Sequence, residues 1–378
     1  MNMIKQSLQK ELIHFFELIG KAGKISKSAF SQRRMQYKPE AFVELNDTVV
    51  DSFYRDGDYK KWEGYRLVAI DGSIINLPAS EEINEYFGGI TNHTDNIYPA
   101  ASVLSSYDVL NEIIIKTTIK PYKKSEYEHA IEHLKNFREG DLCVCDRGYG
   151  AIWLFYLFKL KEIDFLVRIN RNLFQDFWKT PLSSKIMTIT KCSKESKKQL
   201  KDLGITFKPF QVRLVKVDLE NGETEVLVTS LLDSNKYPDR IFKMLYSLRW
   251  GVETNFNHLK NHIEVENFSG KSVFAIQQDF YANTFIENLR SIISIEAQEE
   301  VDEIKEDALY KYKVNKNLSL GFLKDKIVKI LMSDDPKYID KIISLFIQEP
   351  VPIRPGRSSK RKFSFTAKRY RMNYRRAI

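Results

Sequence analysis

Apolar positions change their spacing along the chain, and the changes divide it. Through the first sixty residues they recur at helical intervals: Leu12, Phe15, Phe16, Leu18 and Ile19 share a face that Gly20 and Gly23 interrupt. Ser26 or Ser28 can cap a short basic helix ending near Arg34, and Pro39-Glu40-Ala41-Phe42 opens another. From Arg66 the pattern becomes strand-like. Arg66 to Ser73 is an apolar run ending on a carboxylate, and Ala101–Leu110 with Glu112–Ile119 form two antiparallel strands turned at Asn111. Ser125–Phe137 has helical spacing, Leu142–Asp146 is a buried strand ending on an acid, an apolar helix runs to Glu162, and Phe165–Ile169 is a further strand. Residues 171–236 begin Lys-rich and loop-like, then read as a hairpin around Asn221-Gly222. Beyond Pro238 one long helix is expected to about His262, with mainly helical sequence to Ile347.

This order predicts an α/β fold: a mixed sheet with flanking helices, a mainly β insertion, and helical terminal regions. The expected divisions are a helical region over 1–60 whose short basic helix suits DNA, a sheet-and-helix core over 61–170 and 237–295, and a β-rich insertion over 171–236. A helical C-terminal region over 296–353 and a basic tail over 354–378 complete the chain. The strongest apolar run, Ala151–Phe158, stops at Lys159, so no membrane span is expected. Glu11, His14 and Glu17 interrupt any secretory core, and Cys143, Cys145 and Cys192 make neither a disulfide framework nor a zinc set. A cytoplasmic location follows. Charge sharpens the picture once it is located. Ten basic and no acidic residues lie in 354–378, so of the net charge of +9 residues 1–353 carry −1. Phe363, Phe365, Tyr370 and Tyr374 alternate with those cations, a composition suited to nucleic acid.

Asp71 and Asp146 each end an apolar run, where a sheet presents side chains to a crevice. Each also has a plainer reading: Asp71 as a turn residue before Gly72, Asp146 as a helix cap. The segment Tyr246–Lys260 adds a second pattern. Relative to Tyr246, helical geometry puts Arg249, Glu253 and Lys260 at about 300°, 340° and 320°, so all four share one face. A carboxylate there among a phenol, a guanidinium and an ammonium suits phosphate held beside a metal ion. The plainer alternative is an i, i+4 pair of Arg249 and Glu253. The pairs His129/His133 and His258/His262 lack a third ligand at metal-site spacing, and Gly88-Gly89 and Gly148-x-Gly150 read as turns.

The spacing Tyr246-x2-Arg249-x3-Glu253-x6-Lys260 resembles the Tyr-Arg-Glu-Lys signature of bacterial DDE transposases of the insertion sequence 4 family. Ala69–Ser73 and Cys145–Tyr149 are similar to that family's two aspartate motifs. The resemblance covers roughly residues 65–295. It implies a ribonuclease-H-like sheet and a cut-and-paste transposase that cleaves and rejoins DNA strands. It further implies two Mg²⁺ ions, for which Mn²⁺ can substitute, about 4 Å apart. Asp71 would bridge both, Asp146 would complete one and Glu253 the other, while Tyr246, Arg249 and Lys260 hold phosphates. The implied partners are double-stranded transposon ends and target DNA, met by a dimer assembled on DNA in a bacterial nucleoid. The alternative is a non-catalytic DNA-binding remnant or regulator. In this family's well-known members the tryptophan that accepts a flipped base lies just before the signature helix, whereas Trp178 stands early in the insertion, so a hairpin step is not carried over.

Overall fold

The computed structural model describes residues 7–21, 23–55, 58–91, 97–123, 126–219 and 222–354. Asn221 and all but the first residue of the expected basic tail lie outside the described residues. Three helices come first: α1 (Leu8–Leu18), α2 (Lys27–Arg34) and α3 (Glu40–Arg55), the first two capped by the hydroxyls of Ser7 and Ser26. Then follow β1 (Arg66–Asn76), α4 (Glu81–Phe87), β2 (Gly89–Thr91), β3 (Ile97–Asp108), β4 (Ile113–Pro121) and α5 (Glu126–His133). Next are β5 (Asp141–Cys145), α6 (Ile152–Leu160), β6 (Asp164–Arg168), α7 (Gln175–Trp178), β7 (Ser184–Ile189) and α8 (Lys194–Asp202). The chain continues through β8 (Phe210–Asp218), β9 (Thr224–Thr229), α9 (Ile241–Ser247), α10 (Trp250–Asn261) and α11 (Val273–Ile304). It closes with β10 (Tyr312–Lys313), α12 (Lys316–Met332), α13 (Lys337–Phe346) and β11 (Val351–Pro352).

Among the described residues nine strands make one sheet, ordered β2-β3-β1-β5-β6-β9-β8-β7 with β4 on the other side of β3. β1, β3 and β4 are an antiparallel meander; β5 and β6 run parallel to β1. Parallel neighbours need a crossover, and α5 and α6 supply the two. This is the ribonuclease-H-like arrangement. The 171–236 segment joins the same sheet, because β9 pairs antiparallel with β6 at Leu166↔Thr229.

Strand alternation sorts the core into layers. Ile70, Cys143, Cys145, Phe165 and Val167 pack with α6 on one face. Leu67, Leu142 and Val144 meet α9 on the other, and Ala69, Val103 and Tyr107 meet α10 and α11 there. No helix among the described residues is long and apolar enough to cross a membrane.

Three expectations need correction. First, Asp71 does not end its strand. β1 continues to Asn76 because β3 pairs with it throughout, Asp71↔Ser105 to Asn76↔Ala100; what stops beside Asp71 is the parallel partner β5. Second, the long helix after Pro238 is two helices. Leu248 and Arg249 form a tighter turn, with Leu248 N–H donating to Leu245 O and Arg249 N–H to Tyr246 O. The break lets α9 bury Phe242 and Leu245 in one cluster and α10 bury Val252 and Phe256 in another. Third, the loop-like start of the insertion holds α7, β7 and α8. The last is set by Ser193, whose hydroxyl caps it, and by the burial of Leu200.

Candidate functional site: three acids on one sheet face

The register of β1 and β5 places the two aspartates. Arg66↔Asp141 through Ile70↔Cys145 are paired in parallel, so Asp71 and Asp146 are the next residues of each strand. Asp71 follows Leu67 and Ala69 on the face that α9 and α10 cover, and Asp146 follows Leu142 and Val144. The plainer local roles are real as well. Asp71 Oδ1 accepts from Gly72 N–H at 2.9 Å, and Asp146 Oδ1 accepts from Gly148 N–H at 2.8 Å to cap a single 3₁₀ turn. Neither role uses the second carboxylate oxygen.

α10 brings the third acid. Its seat on the sheet is close: a Cβ on Gly251 would lie 3.1 Å from Val109 Cγ1, so glycine allows the approach. From that seat Glu253 lies near Asp71, and Arg249 stands between them. Arg249 donates to Glu253 Oε1 at 2.6 Å and lies 3.6 Å from Asp71 Oδ2. Its guanidinium is buried, and the carboxylates of Glu253 and Asp71 hold it protonated against that burial. The i, i+4 pair therefore exists, and it neutralises an acid cluster. Among the described residues no three acidic, histidine or cysteine side chains are drawn together tightly enough to hold an ion as they stand.

The other two members of the signature face separate places. Lys260 donates to Ser73 Oγ and Ile74 O, both at 2.7 Å, farther along β1. Burial lowers its pKa, with Glu266 opposing. Tyr246 is buried with its hydroxyl unpartnered. Burial pushes that hydroxyl up to about 12 against the pull of Arg249 and Arg168.

Asp71 carries the clearest electrostatic mark. Burial pushes its carboxyl up to about 6, Asp146 and Glu253 add to the rise, and Arg249 and the Gly72 N–H oppose it. The folded protein therefore binds this proton more tightly than the unfolded chain. Asp71 costs no stability below its unfolded value of 3.8 and a growing amount as pH rises through about 6. With each pKa unit worth about 1.4 kcal/mol, and a discount for partial exposure, the full cost is about 1–2 kcal/mol. In EDTA, Asp71→Asn is expected to raise the melting temperature by a few degrees at pH 8 and to leave it unchanged at pH 4. Calorimetry at the two pH values checks this.

A cavity of about 710 Å³ opens beside Arg147, the residue after Asp146, and is lined also by Arg168, Arg171, Trp178, Glu223 and Glu225; none of the three acids lines it. Trp178 donates from its indole to Leu173 O at 3.1 Å, and Arg171 lies 5.7 Å from its ring. Sequence reading missed this basic wall, because its arginines come from separate elements. Three of the four paired histidines are buried in the core, His133 bonding Ser106 and Thr118 and His258 lying 3.3 Å from Glu287, while His262 is exposed.

A family model described as "Transposase DDE domain" matches residues 62–289. Transposase InsG for insertion sequence element IS4, from Escherichia coli (strain K12), is 22% identical over 245 residues, which are 64% of this chain and 54% of that protein. The chain thus spans about half the length of the curated relative it matches. Among solved structures, the cryo-EM structure of piggyBac transposase synaptic complex with hairpin DNA gives a TM-score of 0.42 at 12% identity. That match covers 78% of this chain and 59% of the other.

Proposed function

The chain belongs to the transposase DDE domain family, and from that membership and the meeting of three acids on one sheet face we propose that it is a DNA transposase. It binds the terminal inverted repeats of an insertion sequence and performs metal-dependent strand cleavage and strand transfer. The observation that supports the reading is the β1–β5 register, which brings Asp71 and Asp146 side by side, together with the rise that Asp146 and Glu253 add to the Asp71 pKa.

The donor set is all hard oxygen, which suits Mg²⁺ or Mn²⁺. The second oxygen of each of the three carboxylates makes no hydrogen bond among the described residues and is the group available to a cation. Bound there, two divalent ions would activate the attacking oxygen and stabilise the leaving one. Asp71, Asp146 and Glu253 would hold them. Arg249 screens Asp71 and Glu253 from each other before loading, and turning toward a scissile phosphate it would release both carboxylates. Tyr246 and Lys260 would hold phosphates near that position, and Arg147 and Arg171 in the cavity beside Asp146 would meet the DNA backbone, Arg168 there being paired with Glu225. Two copies on two transposon ends would join donor and target DNA.

The test uses a duplex copied from the DNA flanking the gene, with Mg²⁺ or Mn²⁺. Metal-dependent nicking at the edge of an inverted repeat, absent on unrelated duplex, is the expected product. Retention of the end duplex without any product would make the chain a binding-only remnant, and equal cutting of unrelated DNA would make it a general endonuclease.

A further inference from the structure

α10 carries Glu253; on its sheet side Lys260 ties its last turn to Ser73 and Ile74 of β1, and its other side is held by separate contacts. Its first turn has no side-chain cap, Arg249 entering in helical conformation. Val252, Phe256 and Leu259 bury apolar surface, which resists separation more than sliding. The polar contact on its far side comes from His258, about 140° round the helix from Glu253, and it is an ion-pair approach without hydrogen-bond geometry. His258 is buried, and its Nε2 lies 3.3 Å from Glu287 Oε2 on α11.

Glu287 is itself held in place. Arg290 donates from Nε to Oε2 at 3.0 Å and from NH2 to Oε1 at 2.7 Å, and both side chains are 1% exposed. Arg290 also donates to Ser291 and Ser294 and lies 3.7 Å from Glu112, which pairs with Lys316 at 2.7 Å. One network, buried at Glu287 and Arg290 and partly exposed at Glu112 and Lys316, thus links α11, the β3–β4 turn and the start of α12 to His258 on α10. Buried ion pairs add little net stability compared with apolar packing, and their best-attested use is to select one register.

We propose that Glu287, acting through His258, is a positioning residue that fixes α10 along its axis so that Glu253 stands opposite Asp71 and Asp146. This rests on the three-carboxylate reading above. His258 touches none of the three acids and acts on them only through the helix, and a ligand displaced in this way is expected to bind metal about tenfold more weakly, the lower end of what losing a partner bonded to a ligand costs.

The experiment measures Mn²⁺ binding to the purified full chain from the loss of the free-ion electron paramagnetic resonance signal, with melting temperature beside it. His258→Leu keeps the bulk and removes the N–H; about tenfold weaker Mn²⁺ binding is expected. His258→Gln, whose amide nitrogen can reach Glu287, is expected to bind within about twofold of the parent. His258→Leu binding as tightly as the parent, whatever its melting temperature, overturns the proposal. So does a folded His258→Gln that binds as weakly as the leucine variant. Should His258→Leu fail to fold, the glutamine variant decides: parent-like binding supports the role and tenfold weaker binding ends it. A parent that binds no Mn²⁺ overturns the three-carboxylate reading itself, whereas a binding parent with indifferent variants overturns the positioning role alone.

Discussion

Glu253→Gln is expected to fold, bind DNA as the parent does, and lose strand cleavage by roughly a thousandfold or more. The amide keeps the shape of the side chain, and its oxygen can still accept from Arg249, which now bonds Glu253 Oε1 at 2.6 Å. What disappears is the negative charge that a divalent ion needs. Metal stabilisation of a phosphoryl transition state is worth several kcal/mol, and about 4 kcal/mol is a factor of roughly a thousand. Asp71→Asn should lose activity equally, and here the metal-free melting temperature separates chemistry from folding, since that substitution removes a carboxylate held at about 6 by burial. The measurement is nicking of the end duplex in Mg²⁺ and Mn²⁺, alongside retention of the same duplex without metal. Persistent nicking in both variants would end the three-carboxylate assignment.

Asp141→Ala should be the most costly single change to stability, at about 3–5 kcal/mol. Asp141 and Arg66 form a two-pronged pair, Nε to Oδ1 and NH2 to Oδ2 at 2.7 Å each, with side chains 0% and 4% exposed. Arg138 N–H donates to the same carboxylate at 3.0 Å, and Arg66 lies over the Tyr54 ring at 4.5 Å. Removing the acid leaves a guanidinium buried with its main partner gone. Replacing both members, as Arg66→Met with Asp141→Leu, should cost less than the single change, because no charge is then left alone. Urea unfolding of the single and double variants checks both statements; a single variant within about 1 kcal/mol of the parent would contradict them. The pair also bears on function. It stands at the start of the β1–β5 pairing whose far end sets Asp71 beside Asp146, so it holds the register on which the site depends.

Much of this molecule is written in local pattern. Alternation in Leu142–Asp146 and the apolar run from Arg66 announce the two central strands, and helical arithmetic on Tyr246–Lys260 puts Arg249 and Glu253 together, as their 2.6 Å contact shows. These are legible because strand and helix periods depend on neighbours a few residues apart. The limits of β1 are not, since that strand ends where its partner β3 ends, and Asp71 becomes special only because β5 stops beside it. The break at Leu248 and Arg249 likewise answers to two separate cores, and β7 exists through its pairing with β8. The charge state of Asp71 and the seat of Arg249 between two acids depend on burial and on groups brought from far along the chain. So does the hold of Glu287 on His258. Spacing names the candidate groups; the folded sheet supplies the distances and the dry surroundings that let them act on one another.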